Sequence, residues 1–307
     1  KGWEASITWG DSFTLASKPF NYRIMAGIGD NTSKVTKYDN PNRTLTDPYE
    51  GQQLGEIWGY VVDGYFKTDE EARNYKVDQS FVNQMINASA LDNGLHAGDL
   101  KFVDLDGNNK IEQTTSANDR KDMKVIGNSL PRYNYNFGIS ADWYGIDFSV
   151  LFQGIGKQNW YPGAETSMFW GPYSRPYASF IPSDFMSQVW SEENTNAYFP
   201  RPRGYVALGS NRELAVVNTK YLQNLAYCRL KNLSIGYTLP DKWLSKIGFE
   251  KIRVYFSGEN LLTFTKLHSD YIDPEQASAS NSWKTSKSDA NIYPWAKTYS
   301  FGVDITF

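Results

Sequence analysis

The sequence predicts an all-β chain, antiparallel strands of a transmembrane β-barrel with long outer loops, and three observations lead there. Several segments alternate bulky apolar with small or polar residues at period two, over the roughly 9 to 11 residues that a tilted strand needs to cross a bilayer. No segment is apolar enough to cross as a helix, since hydrophobic residues make up 40% of the 307 and mean hydropathy is −0.55. Short and long connections alternate along the chain, as short inner turns and long outer loops do in such barrels.

The last fifteen residues, Tyr293 to Phe307, carry the pattern most fully. Trp295, Tyr299, Phe301, Val303, Ile305 and Phe307 share one face, with Ala296, Thr298, Ser300, Gly302, Asp304 and Thr306 between them. Gly2–Gly10 alternates Trp3, Ala5, Ile7 and Trp9 against Glu4, Ser6 and Thr8, and Phe20–Gly29 repeats the alternation after the connection DSFTLASKP. Glu4 and Arg23 both fall on the polar face, as expected of a face that lines water. The clearest hairpin is Tyr133–Trp143 followed, after Tyr144-Gly145, by Ile146–Gly154. A strand over 226–239 and its return over 251–265 flank the turn PDKWLSKIGFE.

Membrane strands are therefore expected near 2–10, 20–29, 133–143, 146–154, 226–239, 251–265 and 293–307, within residues 1–307 read as the C-terminal part of one transmembrane barrel. Arg229 and Lys231 read as sharing a face with Leu233 and Ile235. Each cation would cost about 2 to 4 kcal/mol at the bilayer midplane, so both belong near its edge. Asp30 to Pro131, including the strand-like Glu56–Phe66 and the partly helical 68–84, reads as an outer loop; so do the segments after Gly154 and after Thr265. About seven strands do not close an even-numbered barrel, and open edges cannot persist in lipid. The rest of the barrel is expected from outside these residues.

Aromatics are dense at 16%, which suits interfacial girdles or carbohydrate binding. A net charge of −3 gives no footprint for nucleic acid. A lone Cys228 excludes an internal disulfide, and His96 and His268 lack zinc-ligand spacing. No catalytic set emerges: no nucleophile sits near a histidine in a known motif, and there is no glycine-rich phosphate loop. No enzyme activity is expected.

GDLKFVDLDGNNKI, VIGNSLPRYNYNFGISADWYGIDFSVLFQG, YCRLKNLSIGYTLP, GENLLTFTKLHSDYIDPE and the terminal SFGVDITF resemble, in this order, the C-terminal portion of SusC/RagA-type TonB-dependent transporters of Bacteroidetes outer membranes. The resemblance implies a plugged barrel of about 22 strands, of which these residues are roughly the last third and from which the plug and earlier strands are absent. It further implies a SusD-like lipoprotein lid, coupling to the TonB complex, an oligosaccharide or oligopeptide ligand, and residence in the outer membrane of a Gram-negative bacterium. Rival readings are a passive porin and a secreted carbohydrate-binding β-domain. Phe307 resembles the terminal aromatic by which such barrels are recognised for assembly.

Two constellations carry chemistry. Asp104, Asp106, Asn108, the Lys110 carbonyl and Glu112 have the spacing of a calcium loop, with Asn109 where glycine is preferred and Thr115 where a bidentate carboxylate is expected. Asp119 and Asp122 are candidate substitutes, and an Asx-rich turn is the alternative. The aromatic set Trp160, Tyr161, Phe169, Trp170, Tyr173, Tyr177 and Phe180 reads as a ligand platform, with Trp160, Tyr161, Trp170, Tyr173 and Tyr177 as the candidate substrate contacts, or as the small core of a long loop. Arg201 and Arg203 read as solvated charges or contacts to an anionic ligand.

Overall fold

The computed structural model describes residues 1–83, 94–174, 180–209, 212–244, 248–277, 287–288 and 293–307. Seven long strands lie in one sheet in chain order: β1 (Gly2–Leu15), β2 (Lys18–Asn31), β3 (Arg132–Trp143), β4 (Ile146–Lys157), β5 (Tyr227–Thr238), β6 (Lys251–Thr265) and β7 (Thr298–Thr306). Every neighbouring pair is antiparallel. The sheet is open, with β1 and β7 at its edges.

Two hairpins turn in only two residues. Tyr144 and Gly145 have φ of 50° and 84°, and Ala16 and Ser17 have φ of 48° and 62°. Two consecutive positive φ values match the right-handed twist of the flanking strands. The nine-residue connection expected at DSFTLASKP is therefore corrected: Asp11–Leu15 continues β1, and Thr14 stands opposite Pro19. Ala-Ser carries no Asn-Gly signature, so the turn is invisible in the sequence. Pro19 lies one residue before the first β2–β3 pair, Phe20 opposite Trp143, so its missing N–H is no loss to that ladder.

The last strand is shorter than expected, beginning at Thr298 rather than near 293. Its pairing with β6 stops at Glu259 opposite Thr298, and the next residue of β6, Asn260, has φ of 53°. That left-handed residue belongs to a bulge, where the register of β6 against β5 shifts. The Trp295 amide instead donates to Asp273 at 3.2 Å.

The alternation sorts the sheet into two faces. Ile7, Ala26, Phe137 and Phe152 are register neighbours on the apolar face, as are Tyr237, Val254 and Val303. This face is uncovered: Phe301 keeps 83% of its surface and Ile7 64%. A water-soluble sheet would bury such a face.

The main buried core lies elsewhere, in the long connections. It gathers Tyr60, Phe102, Ile111, Trp160, Trp170, Phe185, Phe199, Leu214 and Tyr221 from the first two of them. Glu56–Tyr60 pairs with Met123–Asn128, and Val62–Tyr65 with Leu100–Phe102, both outside the large sheet. Among the described residues of 68–84 only Asp69–Arg73 is helical, its first turn capped by the Thr68 hydroxyl, which accepts from the Glu71 amide at 3.1 Å.

Candidate functional site on the polar face and its outer mouth

Register aligns polar residues of different strands into rows. Ser140, Ser149, Ser234, Ser257 and Ser300 form one row over five consecutive strands. Two residues nearer the short turns, Asp142, Asp147, Gly236, Tyr255 and Gly302 form the next. There Arg253 of β6 reaches across β5, donating to Asp147 of β4 at 2.8 and 2.6 Å and to Asp304 of β7 at 3.2 Å. Gly236 makes the crossing feasible, because a Cβ there would stand 2.5 Å from Asp147 Oδ1 and 2.6 Å from Arg253 Nε.

At the opposite end of the sheet the expected face of Arg229 is overturned. Leu230 pairs with Phe152 and Asn232 with Leu151, so Lys231 is an extra residue and the phase of β5 flips around it. Tyr227 and Arg229 therefore share the face of Ile155 and Gln153, the polar one. Arg229 Nη2 lies 2.7 Å from both oxygens of Asp273, and Nη1 donates to Glu275 at 2.6 Å. Lys231 donates to Glu275 at 2.8 Å. The chain over Asp273–Glu275 is thereby pinned to the strand ends.

These elements enclose a recess of about 1580 Å³ at the outer end of β1–β5. Glu4, Ser6, Asn134, Asn136, Gln153 and Tyr227 contribute from the strands, and Leu54, Ser129, Leu130, Pro274 and Glu275 from the loops. The recess exceeds a small-molecule pocket and suits an oligomeric ligand.

Four of the five candidate substrate contacts do not line it. Trp160, Tyr161, Trp170 and Tyr173 are at most 1% exposed, and their polar atoms are satisfied within the protein. Tyr161 donates to the Leu214 carbonyl at 2.8 Å, Trp170 Nε1 to Gly163 at 2.9 Å and Tyr173 to Pro200 at 2.7 Å. Phe169 stands edge-on to Trp170 at 4.8 Å. A ring with no surface offers no face to a ligand, so these four are loop core in this structure. Phe180 stays partly exposed against Tyr271, and Tyr177 lies outside the described residues.

In the acidic turn the structure brings Asp122, one of the candidate substitutes, beside Asp104 and Asp106. Asp104, Asp106 and Asp122 each bring an oxygen within 4.8 Å of the others. Asn108 turns its amide nitrogen toward Asp106 and Glu112, and its oxygen accepts from the Lys110 amide at 2.8 Å. Asp104 accepts from the Gly107 and Asn109 amides, both at 2.7 Å, and Asn109 takes φ of 62°. Asp122 is fully buried and accepts from Leu105 and Glu112. Burial above all, with the charges of Asp106 and Asp104, raises its carboxyl above the ordinary value.

Arg203 is buried and Arg201 half-buried, and each is engaged by carboxylates of the protein. Both converge on buried Asp99, Arg201 at 2.7 Å, and Arg203 Nε lies 3.0 Å from buried Glu213. His268 stacks on Tyr198 at 3.4 Å, whereas His96 lies 3.7 Å from Asp69.

No protein-family model matches the chain. Curated relatives do: it is 27% identical over 326 positions to TonB-dependent receptor P3 of Formosa agariphila and 25% identical over 335 to receptor P39 of that organism. Both alignments cover the whole chain, which spans 28% and 30% of those relatives. Among solved structures it resembles the RagAB peptide importer in its open-open state, with TM-score 0.63 and 18% identity over all of this chain and 28% of that one. A second RagAB peptide transporter structure gives TM-score 0.61 at 18% identity, over all of this chain and 29% of that one. These relatives are receptors and importers rather than enzymes.

Proposed function

Starting from the chain's homology to TonB-dependent receptors and its likeness to the C-terminal portion of SusC/RagA-type transporters, we propose that it builds wall and outer loops of a barrel in a Gram-negative outer membrane. The barrel imports an oligosaccharide or oligopeptide, is driven through TonB, and is served by a SusD-like surface lipoprotein. The observation that carries this reading is the uncovered apolar face backed by a polar face with an oligomer-sized recess. The remaining barrel and its plug come from the longer part of the transporter that these residues do not span. Deleting the TonB-contacting segment from the whole transporter should abolish uptake while leaving the barrel in the membrane. Uptake that persisted would favour a passive porin.

We also infer that Asp104, Asp106 and Asp122 take a hard cation such as calcium. A buried carboxylate beside two others is costly without a positive charge among them, and oxygen donors are what calcium selects. Calcium should protect the whole transporter from proteolysis near residues 104–122, and Asp122→Asn should remove that protection. Equal cleavage with and without calcium would mean a turn held by its own hydrogen bonds.

A further inference from the structure

The charge pattern of the recess goes beyond its size. Among the described residues that line it there is no lysine, arginine or histidine, but there are three carboxylates, Glu4, Asp30 and Glu275. Asp30 is engaged by Arg132, and Glu275 by Arg229 and Lys231, so their charges are balanced. Glu4 has no ion pair among the described residues.

The backbone holds Glu4 in place. It stands opposite Gly29, and a Cβ on Gly29 would come within 3.0 Å of Glu4 Cγ. One row deeper a Cβ on Gly27 would come within 3.2 Å of Asn136 Nδ2. The two glycines let Glu4 and Asn136 lie flat across β2, so a carboxylate and an amide share one shallow floor. Asn134 and Gln153 extend it with uncharged donors and acceptors, groups that pair with peptide backbone. Trp160, Tyr161, Trp170 and Tyr173 are buried in the loop core, and the rings at the recess itself are Trp3, Tyr135 and Tyr227.

We propose that this floor selects an oligopeptide carrying an ammonium or guanidinium group, with Glu4 as the charge-selecting residue and Asn134, Asn136 and Gln153 holding the peptide backbone. The inference rests on the import reading above and narrows its substrate to cationic peptides. An anionic ligand meets the Glu4 carboxylate and is disfavoured.

The test uses the whole transporter and two probes, a lysine-bearing pentapeptide and the same peptide with both amines acetylated, titrated calorimetrically. The free-amine form should bind about tenfold tighter, the effect of one hydrogen bond to a charged group. Glu4→Gln should bring the ratio close to one. Ser6→Arg, which sets a cation beside Glu4, should do the same if Glu4→Gln fails to assemble. Equal affinities in the unaltered protein, or binding of a neutral oligosaccharide with neither peptide bound, would overturn the proposal. Either result with TonB-dependent uptake intact removes only the charge selection. Uptake independent of TonB removes the import reading instead.

Discussion

Arg229 lies with one nitrogen 2.7 Å from each oxygen of Asp273, joining the end of β5 to a segment 44 residues further along the chain. Both side chains are at most 5% exposed. Removing one partner of such a buried pair costs about 3 to 5 kcal/mol, because the other charge is left uncompensated. Arg229→Met should therefore free the segment around Asp273, seen as new protease cleavage near 273–277 in the whole transporter. Asp273→Asn together with Glu275→Gln in that background should recover part of the lost stability.

Gly236 should tolerate no side chain. A Cβ would collide with the Arg253–Asp147 pair that spans three strands, so Gly236→Ala should lower the temperature at which the barrel loses its heat-resistant compact band on a gel. If the same shift appears when Arg253→Gln is already present, the collision with the ion pair is not its cause.

Burial pushes the Glu213 carboxyl up to about 7, against the attraction of Arg203. The folded loops then hold a proton that the unfolded chain releases above about pH 4.5. Stability from this group is complete below that pH and is lost as pH rises toward 7. Thermal unfolding of the outer loops should occur at falling temperature across this window, and Glu213→Gln should flatten the trend. An unchanged slope in that variant would assign the trend to other groups.

Trp170 sits against Phe169 and Tyr221 in the loop core. Trp170→Ala should cost about 3 to 5 kcal/mol, the usual result of emptying a buried aromatic site. The outer loops should become protease-sensitive at lower temperature. A variant with intact loops and weakened ligand binding would instead restore the platform reading.

The strands were legible because two chemically different surroundings sort side chains at period two, and that signal survives in any strand long enough. Local sequence therefore placed β3 and β4 and left Glu56–Phe66 outside the main sheet. It failed where conformation departs from the average. Ala16 and Ser17 are left-handed without glycine, and the extra Lys231 reverses which face Arg229 occupies. A bulge is one residue of pairing geometry, and no composition announces it.

The site divides the same way. The sequence by itself determined an apolar face, a polar face and an aromatic-rich loop system, since these depend only on residue type and spacing. Only the tertiary structure decided that Trp160, Tyr161, Trp170 and Tyr173 are core, that Asp122 joins Asp104 and Asp106, and that Arg229 and Arg132 neutralise Glu275 and Asp30 while Glu4 faces the recess. The reason is distance: Asp30 and Arg132 are 102 residues apart, and only the register of β2 against β3 brings them together.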